Sequence, residues 1–409
     1  MSRVFITGMG IISAVGASLA ESQAALRAGK CGVMMSDRLP SRYAGVMPFG
    51  EVGTGTGLLK EKFRIADPGI TRTSLLALHA FDDALSDSRL SGTQLSDPGT
   101  ALIGATTVGG MCLTDELYRD AVSPCEGSAY LSSYDCASVH LFLQERYKMQ
   151  GFTTTINTAC SSSANAIQYG ARLIRNGLAT RAVVGGTDSL AKFTINGFNA
   201  LQILSTRICR PFDRDRSGLN LGEGAAYLVL EGEEALRGDG SLMAGGSAVA
   251  GKKIYAELTG YSNRNDAYHP SALSLQGDGP FLAMAGALKS ARLDAADIDF
   301  INAHGTATEN NDEAESRAMV RLFGEPPAFV STKSYTGHTL GASGAIEAVF
   351  SLLSLQHQEL YASLNFDEPI PGIGLRPVSS YKKEGLRHVM SNSFGFGGNC
   401  TSLIFSKVN

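Results

Sequence analysis

Apolar residues fall along this chain in short runs, and helix-spaced stretches separate the runs. Residues 4–7 (VFIT) predict a strand that turns at Gly8-Met9-Gly10. Ser13 stands where a third glycine would complete a dinucleotide-binding fingerprint, so a strand and turn are expected there, without a cofactor. Helical spacing follows over 70–85, and a strand over 101–106 leads into Gly109-Gly110. Residues 152–158 are β-rich and run directly into Cys160-Ser161-Ser162-Ser163. Ala164, Ile167, Ala171 and Ile174 then recur at helical spacing, and Gly177 stops that helix. Residues 182–186 and 225–230 predict two more strands.

Residues 236–253 (LRGDGSLMAGGSAVAGKK) are rich in Gly and Ser and predict a linker. Beyond it the order restarts. Strands are expected at 254–258, 298–303, 328–332, 389–391 and 401–405, with helices at 281–292 and 342–357. Both parts read strand, helix, strand, strand-to-helix, strand, strand. That repetition predicts an α/β protein of two related halves packed together. Runs such as AVVGG and FINAH are apolar without alternation, as in strands covered on both faces.

Composition narrows the function classes. The 409 residues carry a net charge of −4, 44% hydrophobic and 18% charged residues, which describes a globular chain with no basic excess for nucleic acid. No apolar run reaches the length of a membrane-spanning helix, so no membrane association is expected. The opening MSRVFITGMG lacks a signal-peptide layout. The 7 cysteines are scattered, with no C-x-x-C pair, and predict a reducing, cytoplasmic setting.

Cys160 is the sharpest chemical feature. It follows a strand and is expected to start a helix, where the helix partial charge would favour a nucleophilic thiolate. Cys31, Cys112, Cys136 and Cys209 read as small buried residues, and Cys125, beside Pro124, as part of a loop. His304 (AHGTAT) and His338 (TGHTLGASG) stand in glycine-rich loops after strands, a common setting for functional imidazoles. His79, His140, His357 and His388 carry no motif and read as structural or surface residues. Lys333 precedes His338 by five residues, while Asp312 and Glu315 follow His304 at helical spacing. No H-x-x-x-H spacing accompanies these residues, so no metal is expected, and no G-x-S-x-G elbow supports a serine hydrolase.

Together the motifs NTACSSS, RPFDRDRSGLNLGEGAA, INAHGTATENNDEAE, STKSYTGHTLGASGAIEA and NSFGFGG resemble the 3-oxoacyl-ACP synthases, the type I/II ketosynthases of the thiolase superfamily. With RVFITGMGIISAVG at the start, the resemblance covers essentially the whole chain. It implies a five-layered αβαβα thiolase fold of two pseudo-symmetric halves. Residues 1–250 would carry the nucleophile and residues 251–409 both histidines. The implied reaction is decarboxylative condensation of an acyl primer with a malonyl group. The implied partners are an acyl carrier protein and a second chain, in a homodimer or a heterodimer with a related chain. No cofactor is implied.

Roles follow from the resemblance by position. Cys160 would hold the acyl group as a thioester, and the N–H groups of Cys160 and Phe396 would form the oxyanion hole, with the Phe396 ring as a gate. His304 and His338 would stabilise the malonyl-derived enolate. Lys333 would order them, with Glu315 as its charge partner and Asp312 and Glu347 in support. Thr306, Thr308 and Ser271 would bind the pantetheine arm, and Val108 would line the acyl pocket. Arg207, Arg210, Arg214 and Arg216 form either a docking patch for the acidic carrier or a loop ion-paired to Asp213 and Asp215.

Some positions depart from the fatty-acid pattern, notably Pro270 and Ser271 and the GGNCTS tail. With the GLNLGEGAAYL string and ENND after HGTAT, they look like ketosynthases of aryl-polyene or polyketide pathways. Two further readings stay open. One is a non-catalytic chain-length partner subunit, which typically lacks the cysteine. The other is a non-decarboxylating thiolase, for which Cys400 would be the second thiol.

Overall fold

The computed structural model describes residues 2–36, 39, 41–123, 128, 130–241 and 252–408. Ten strands carry the fold. In the first half they are β1 (Val4–Ser13), β2 (Thr100–Ala105), β3 (Thr153–Ile156), β4 (Arg181–Asp188) and β5 (Gly224–Gly232). In the second half they are β6 (Ala256–Asn265), β7 (Phe300–Asn302), β8 (Ala328–Val330), β9 (His388–Gly395) and β10 (Asn399–Ser406). The first five pair in the order β1-β5-β4-β2-β3, and the second five in the order β6-β10-β9-β7-β8. In each half the first two pairings are antiparallel and the last two parallel. The two sheets therefore repeat one topology. A two-residue pairing, Phe5 with Glu257 and Ile6 with Ala256, joins them.

Helices complete the layers. Helix α1 (Arg72–Ser88) covers β1 and β5 from outside. Its N-cap Thr71 accepts the Ser74 N–H, which satisfies one orphan donor of the first turn. Between the sheets lie α2 (Ser162–Arg175) and α5 (Ser343–His357), packed on each other and on strands of both sheets. Helix α3 (Asp278–Ala291) covers β6 and β10, and α4 (Glu309–Phe323) lies against it. This is the five-layered αβαβα arrangement. Its largest core cluster threads the centre, from Ile6 and Ile11 through Ile167 and Val184 to Ile346, Val349 and Leu403. The central helices are small-residue rich where they meet, and an added Cβ at Gly344 would sit 2.7 Å from the Ala164 nitrogen.

The structure corrects several expectations. Gly8-Met9-Gly10 is not a turn but the middle of β1, next to a bulge between Ile6 and Gly8. A Cβ on Gly10 would lie 2.0 Å from the Ala80 carbonyl oxygen, so the glycines admit the close approach of α1. The expected linker begins inside a helix, Glu233–Gly238, whose Leu236 is fully buried. Residues 242–251 of that linker, with the expected boundary at 250/251, lie outside the described residues, as does Cys125.

Candidate active site

Cys160 ends a tight turn after β3. Ala159 is held there at φ 53°, a left-handed conformation uncommon outside glycine. The three serines that follow each fix this turn. The Ser161 hydroxyl lies 2.8 Å from the Thr158 carbonyl oxygen and 2.7 Å from Asn399 Oδ1, which share its one proton. Ser162 Oγ accepts the Thr158 N–H (2.8 Å) and donates to the Ala159 carbonyl (2.6 Å). Ser163 Oγ accepts the Ala345 N–H of α5 (2.9 Å), which ties the nucleophile segment to the facing half.

Cys160 does not start the helix, because α2 begins at Ser162 with Ser161 as its cap. The thiol is also more basic than the helix argument predicts. Burial pushes it up to about 11, against the opposing pull of Lys333 and the N–H groups of Phe396 and Cys160. Both amides thus act on the thiol from its immediate surroundings.

His304 follows β7. Glu315, fully buried on α4, accepts the His304 N–H at one oxygen (2.9 Å) and the Gly305 N–H at the other (2.8 Å). Asp312 accepts the N–H groups of Ala307 and Phe212 (2.7 Å to the latter), pinning the far side of the same turn. The expected pairing of Lys333 with Glu315 is therefore wrong. Lys333 pairs with Glu347 of α5 instead, and Glu315 is occupied by backbone amides. Burial raises both Glu315 and Glu347 to about 7. Lys333 Nζ also lies 3.1 Å from His304 Nδ1 and 2.6 Å from the His304 carbonyl oxygen.

His338 is held by its backbone. Its N–H donates to the Asn220 carbonyl (2.7 Å), and its own carbonyl accepts the Gly222 N–H (2.9 Å). Its Nδ1 accepts the Leu340 N–H (3.1 Å). The rings of His304 and His338 meet edge to face, with centroids 5.4 Å apart. Both are buried, and burial together with Lys333 keeps each well below the ordinary imidazole pKa, hence neutral.

In each ring Nδ1 faces a donor, so the proton sits on Nε2. One ligand-type atom from each of Cys160, His304 and His338 lies within 4.8 Å of the others. Metal binding at Nε2 of His338 would force its proton to Nδ1, against the Leu340 N–H. The arrangement is thus a pair of hydrogen-bond donors beside a thiol, and a poor ligand set.

Two cavities meet at Cys160. One, about 100 Å³, is lined by Ser271, Thr306, Thr308, His304, His338 and Phe394. The other, about 430 Å³, is lined by Val108, Met111, Phe193, Leu201 and Leu340. Phe198 and Phe396 border both, with rings stacked 5.8 Å apart. The second cavity is apolar apart from Thr107 and Thr194, which suits a hydrocarbon chain.

The structure thus places Cys160, His304, His338, Lys333 and Phe396 together, with Ser271, Thr306, Thr308 and Val108 in the walls of the two cavities and Glu347, in place of Glu315, beside Lys333. It adds Asp188, fully buried, which accepts the N–H groups of Thr107, Val108 and Gly341 and so binds the acyl-cavity wall to the His338 loop. It adds Asn399, whose Oδ1 accepts from Ser161, Asn165 and Asn263. Neither residue carries a sequence signal beyond its place at a strand end.

All four arginines of this segment are engaged. Arg210 pairs with Asp213 and Asp367, Arg214 with Glu368 and Asp215, and Arg216 donates to the carbonyls of Asp213, Thr308 and Glu309. Arg207 is exposed and donates to the Asp215 carbonyl. The ion-paired loop describes this segment better than a free basic patch.

Comparison with known proteins agrees with this geometry. Residues 1–235 match the family model described as Beta-ketoacyl synthase, N-terminal domain, and residues 255–367 match its C-terminal domain. The chain is 36% identical to 3-oxoacyl-[acyl-carrier-protein] synthase 2 of Rhizobium meliloti, covering 100% of this chain and 99% of that protein. It is 33% identical to the enzyme of the same name from Vibrio cholerae, with 99% of each covered.

Among solved structures, a beta-ketoacyl synthase from Burkholderia phymatum superposes with a TM-score of 0.87 at 30% identity, each chain covered in full. The ishigamide ketosynthase/chain length factor gives 0.90 at 30% identity, again with full coverage of both chains. No helix among the described residues is long and apolar enough to cross a membrane.

Proposed function

This chain belongs to the beta-ketoacyl synthase family and is an acyltransferase that forms carbon–carbon bonds. From that premise we propose how its own residues carry the reaction. Cys160 takes the acyl group of an acyl carrier protein. Its sulfur bonds to the thioester carbonyl carbon, the carrier's sulfur leaves, and the cysteine proton goes with it. The Cys160 and Phe396 amides hold the oxygen that becomes negative in between. The acyl chain lies in the apolar cavity beside Val108. The carrier's pantetheine arm enters past Ser271, Thr306 and Thr308.

A malonyl thioester then enters by the same route, on the arm of its own carrier. Its carbonyl oxygen accepts from the Nε2–H groups of His304 and His338. Carbon dioxide leaves, and the electron pair of the broken bond becomes the enolate those donors stabilise. The enolate carbon attacks the acyl carbonyl, the Cys160 sulfur leaves, and one proton from solvent restores the thiol. Neutral imidazoles suit this step, because an imidazolium would protonate the carbanion.

One observation carries the proposal. Both imidazoles have Nδ1 filled by a donor, and both converge on a buried thiol between two cavities. Carbon dioxide release from malonyl carrier, coupled to a 3-oxoacyl product, tests it.

We further propose that the primer is an unsaturated or aryl chain of a polyketide-type pathway. Phe193, Phe198 and Phe396 give the acyl cavity flat aromatic walls, against which a conjugated chain stacks better than a saturated one. Equal or faster turnover of ordinary saturated acyl carriers would overturn that assignment. The second chain of the dimer is this chain again or a related one, as in the ketosynthase bound to its chain length factor from Xenorhabdus doucetiae. Six free cysteines and no disulfide among the described residues support a reducing, cytoplasmic setting.

A further inference from the structure

We propose that Ser343 is a positioning residue for His338, its hydroxyl helping to lock the imidazole as the Nε2–H tautomer that decarboxylation requires. The inference rests on the function proposed above. Ser343 Oγ lies 3.1 Å from His338 Nδ1, and Thr339 Oγ1 lies 3.2 Å from Ser343 Oγ. The Leu340 N–H, 3.1 Å from the same nitrogen, can only donate, so Nδ1 is an acceptor. The Ser343 O–H is then the second donor to that lone pair, and the Thr339 hydroxyl donates to Ser343 in turn. Thr339, Ser343 and His338 are each 2% exposed or less, so the protein itself satisfies these groups. Leu340 sits at φ 53°, a strained conformation for a leucine, which aims its amide at the ring.

Two donors on one lone pair withdraw electron density from the ring. They make Nε2–H a stronger donor to the enolate and oppose protonation at Nδ1. The titratable groups facing His338 from its neighbours are Cys160 on the nucleophile turn, His304 on the loop after β7 and Lys333 on the short helix before it. Glu347 on α5 pairs with Lys333, and Asp188 reaches the same loop through the Gly341 amide. The 220–222 segment contributes no titratable group. None of these groups bonds to Nδ1, so Ser343 and Leu340 are that nitrogen's hydrogen-bond partners among the described residues.

The test is Ser343→Ala, which removes one buried oxygen and leaves the α-carbon geometry alone. Two half-reactions are measured separately: acylation of Cys160 by an acyl carrier, and carbon dioxide release from malonyl carrier across pH. The variant should acylate at the wild-type rate. Its decarboxylation should fall about two- to tenfold, the worth of one neutral hydrogen bond, and its acid limb should move to higher pH. Ser343→Thr, which restores a hydroxyl, should recover the wild-type limb.

¹⁵N-histidine spectra give a second readout, in which the His338 Nδ1 signal should shift toward that of a more weakly hydrogen-bonded acceptor only in Ser343→Ala, with the Leu340 donor retained. An unchanged pH profile, or equal loss in both half-reactions, overturns the role of Ser343. His338→Ala separates the two claims. If that variant still decarboxylates malonyl carrier at the wild-type rate, the proposed function fails, and the Ser343 role fails with it.

Discussion

Lys333 Nζ lies within hydrogen-bonding distance of both Nδ1 and the carbonyl oxygen of His304, at 3.1 Å and 2.6 Å. An ammonium has donors only, so His304 is fixed in the same tautomer that a backbone amide fixes for His338. Two unrelated devices thus produce one chemical state in two imidazoles. Breaking a buried ion pair costs about 3–5 kcal/mol when a charge is left behind. Lys333→Met leaves Glu347, already raised to about 7, free to take a proton and become neutral. Glu347→Gln instead strands the ammonium. Urea unfolding at neutral pH should show the larger loss for Glu347→Gln. Both variants should lose decarboxylation.

The buried thiol sets a second expectation. With Cys160 pushed up to about 11, the thiolate fraction of the free enzyme rises with pH throughout the neutral and mildly alkaline range. Alkylation of Cys160 by iodoacetamide, followed by peptide mass, should keep accelerating up to the alkaline limit of stability. A plateau below pH 8 would mean that the amides and Lys333 outweigh burial.

Gly395 positions the Phe396 amide. A Cβ there would meet the Thr158 carbonyl oxygen at 2.7 Å and the Cys160 nitrogen at 3.1 Å. Gly395→Ala should push β9 away from the nucleophile turn. It should slow acyl transfer about 10²–10³-fold, as loss of one oxyanion donor does, with thermal stability falling far less steeply.

His140 gives a stability test away from the site. Its ring is fully buried, hydrogen-bonded to Thr155 Oγ1 (2.9 Å) and the Tyr227 hydroxyl (2.8 Å), and packs where Gly104 has no side chain. A Cβ on Gly104 would lie 1.8 Å from the ring, so Gly104→Ala should destabilise by about 1–3 kcal/mol or more.

Burial also lowers the His140 pKa from 6.5 to about 3. Between those values the unfolded chain binds a proton that the folded chain refuses, so stability falls as pH falls. His140→Gln keeps a donor and an acceptor but does not titrate. Its urea midpoint should depend less on pH than the wild type from 6.5 down to 3.

The order of elements was legible in the sequence because strands such as β1, β4 and β5 are apolar or small-residue runs and α2 keeps its helical spacing. The repeated order of β1 to β5 and β6 to β10 follows from that. Cys160, His304 and His338 were legible because their motifs are local. What depended on distant packing was not. Gly8 and Gly10 answer to a helix some seventy residues away, and no local pattern distinguishes that need from a turn. Glu315 and Glu347 stand equally well placed in sequence to serve Lys333. The fold decides between them by giving Glu315 two backbone amides. The basic thiol follows from burial, which a motif at the end of a strand does not reveal. Asp188 closes a strand with no motif around it, and its bond to the Gly341 amide exists only once the two halves meet.

The most direct test of the central claim is intact-protein mass after incubation with a panel of acyl carriers, then with malonyl carrier. Cys160 should gain a mass equal to the acyl group, a gain absent in Cys160→Ala. Malonyl carrier should then remove it, with release of carbon dioxide and a 3-oxoacyl carrier. A mass gain that persists in Cys160→Ala, or an acyl group that malonyl carrier does not discharge, would contradict that claim.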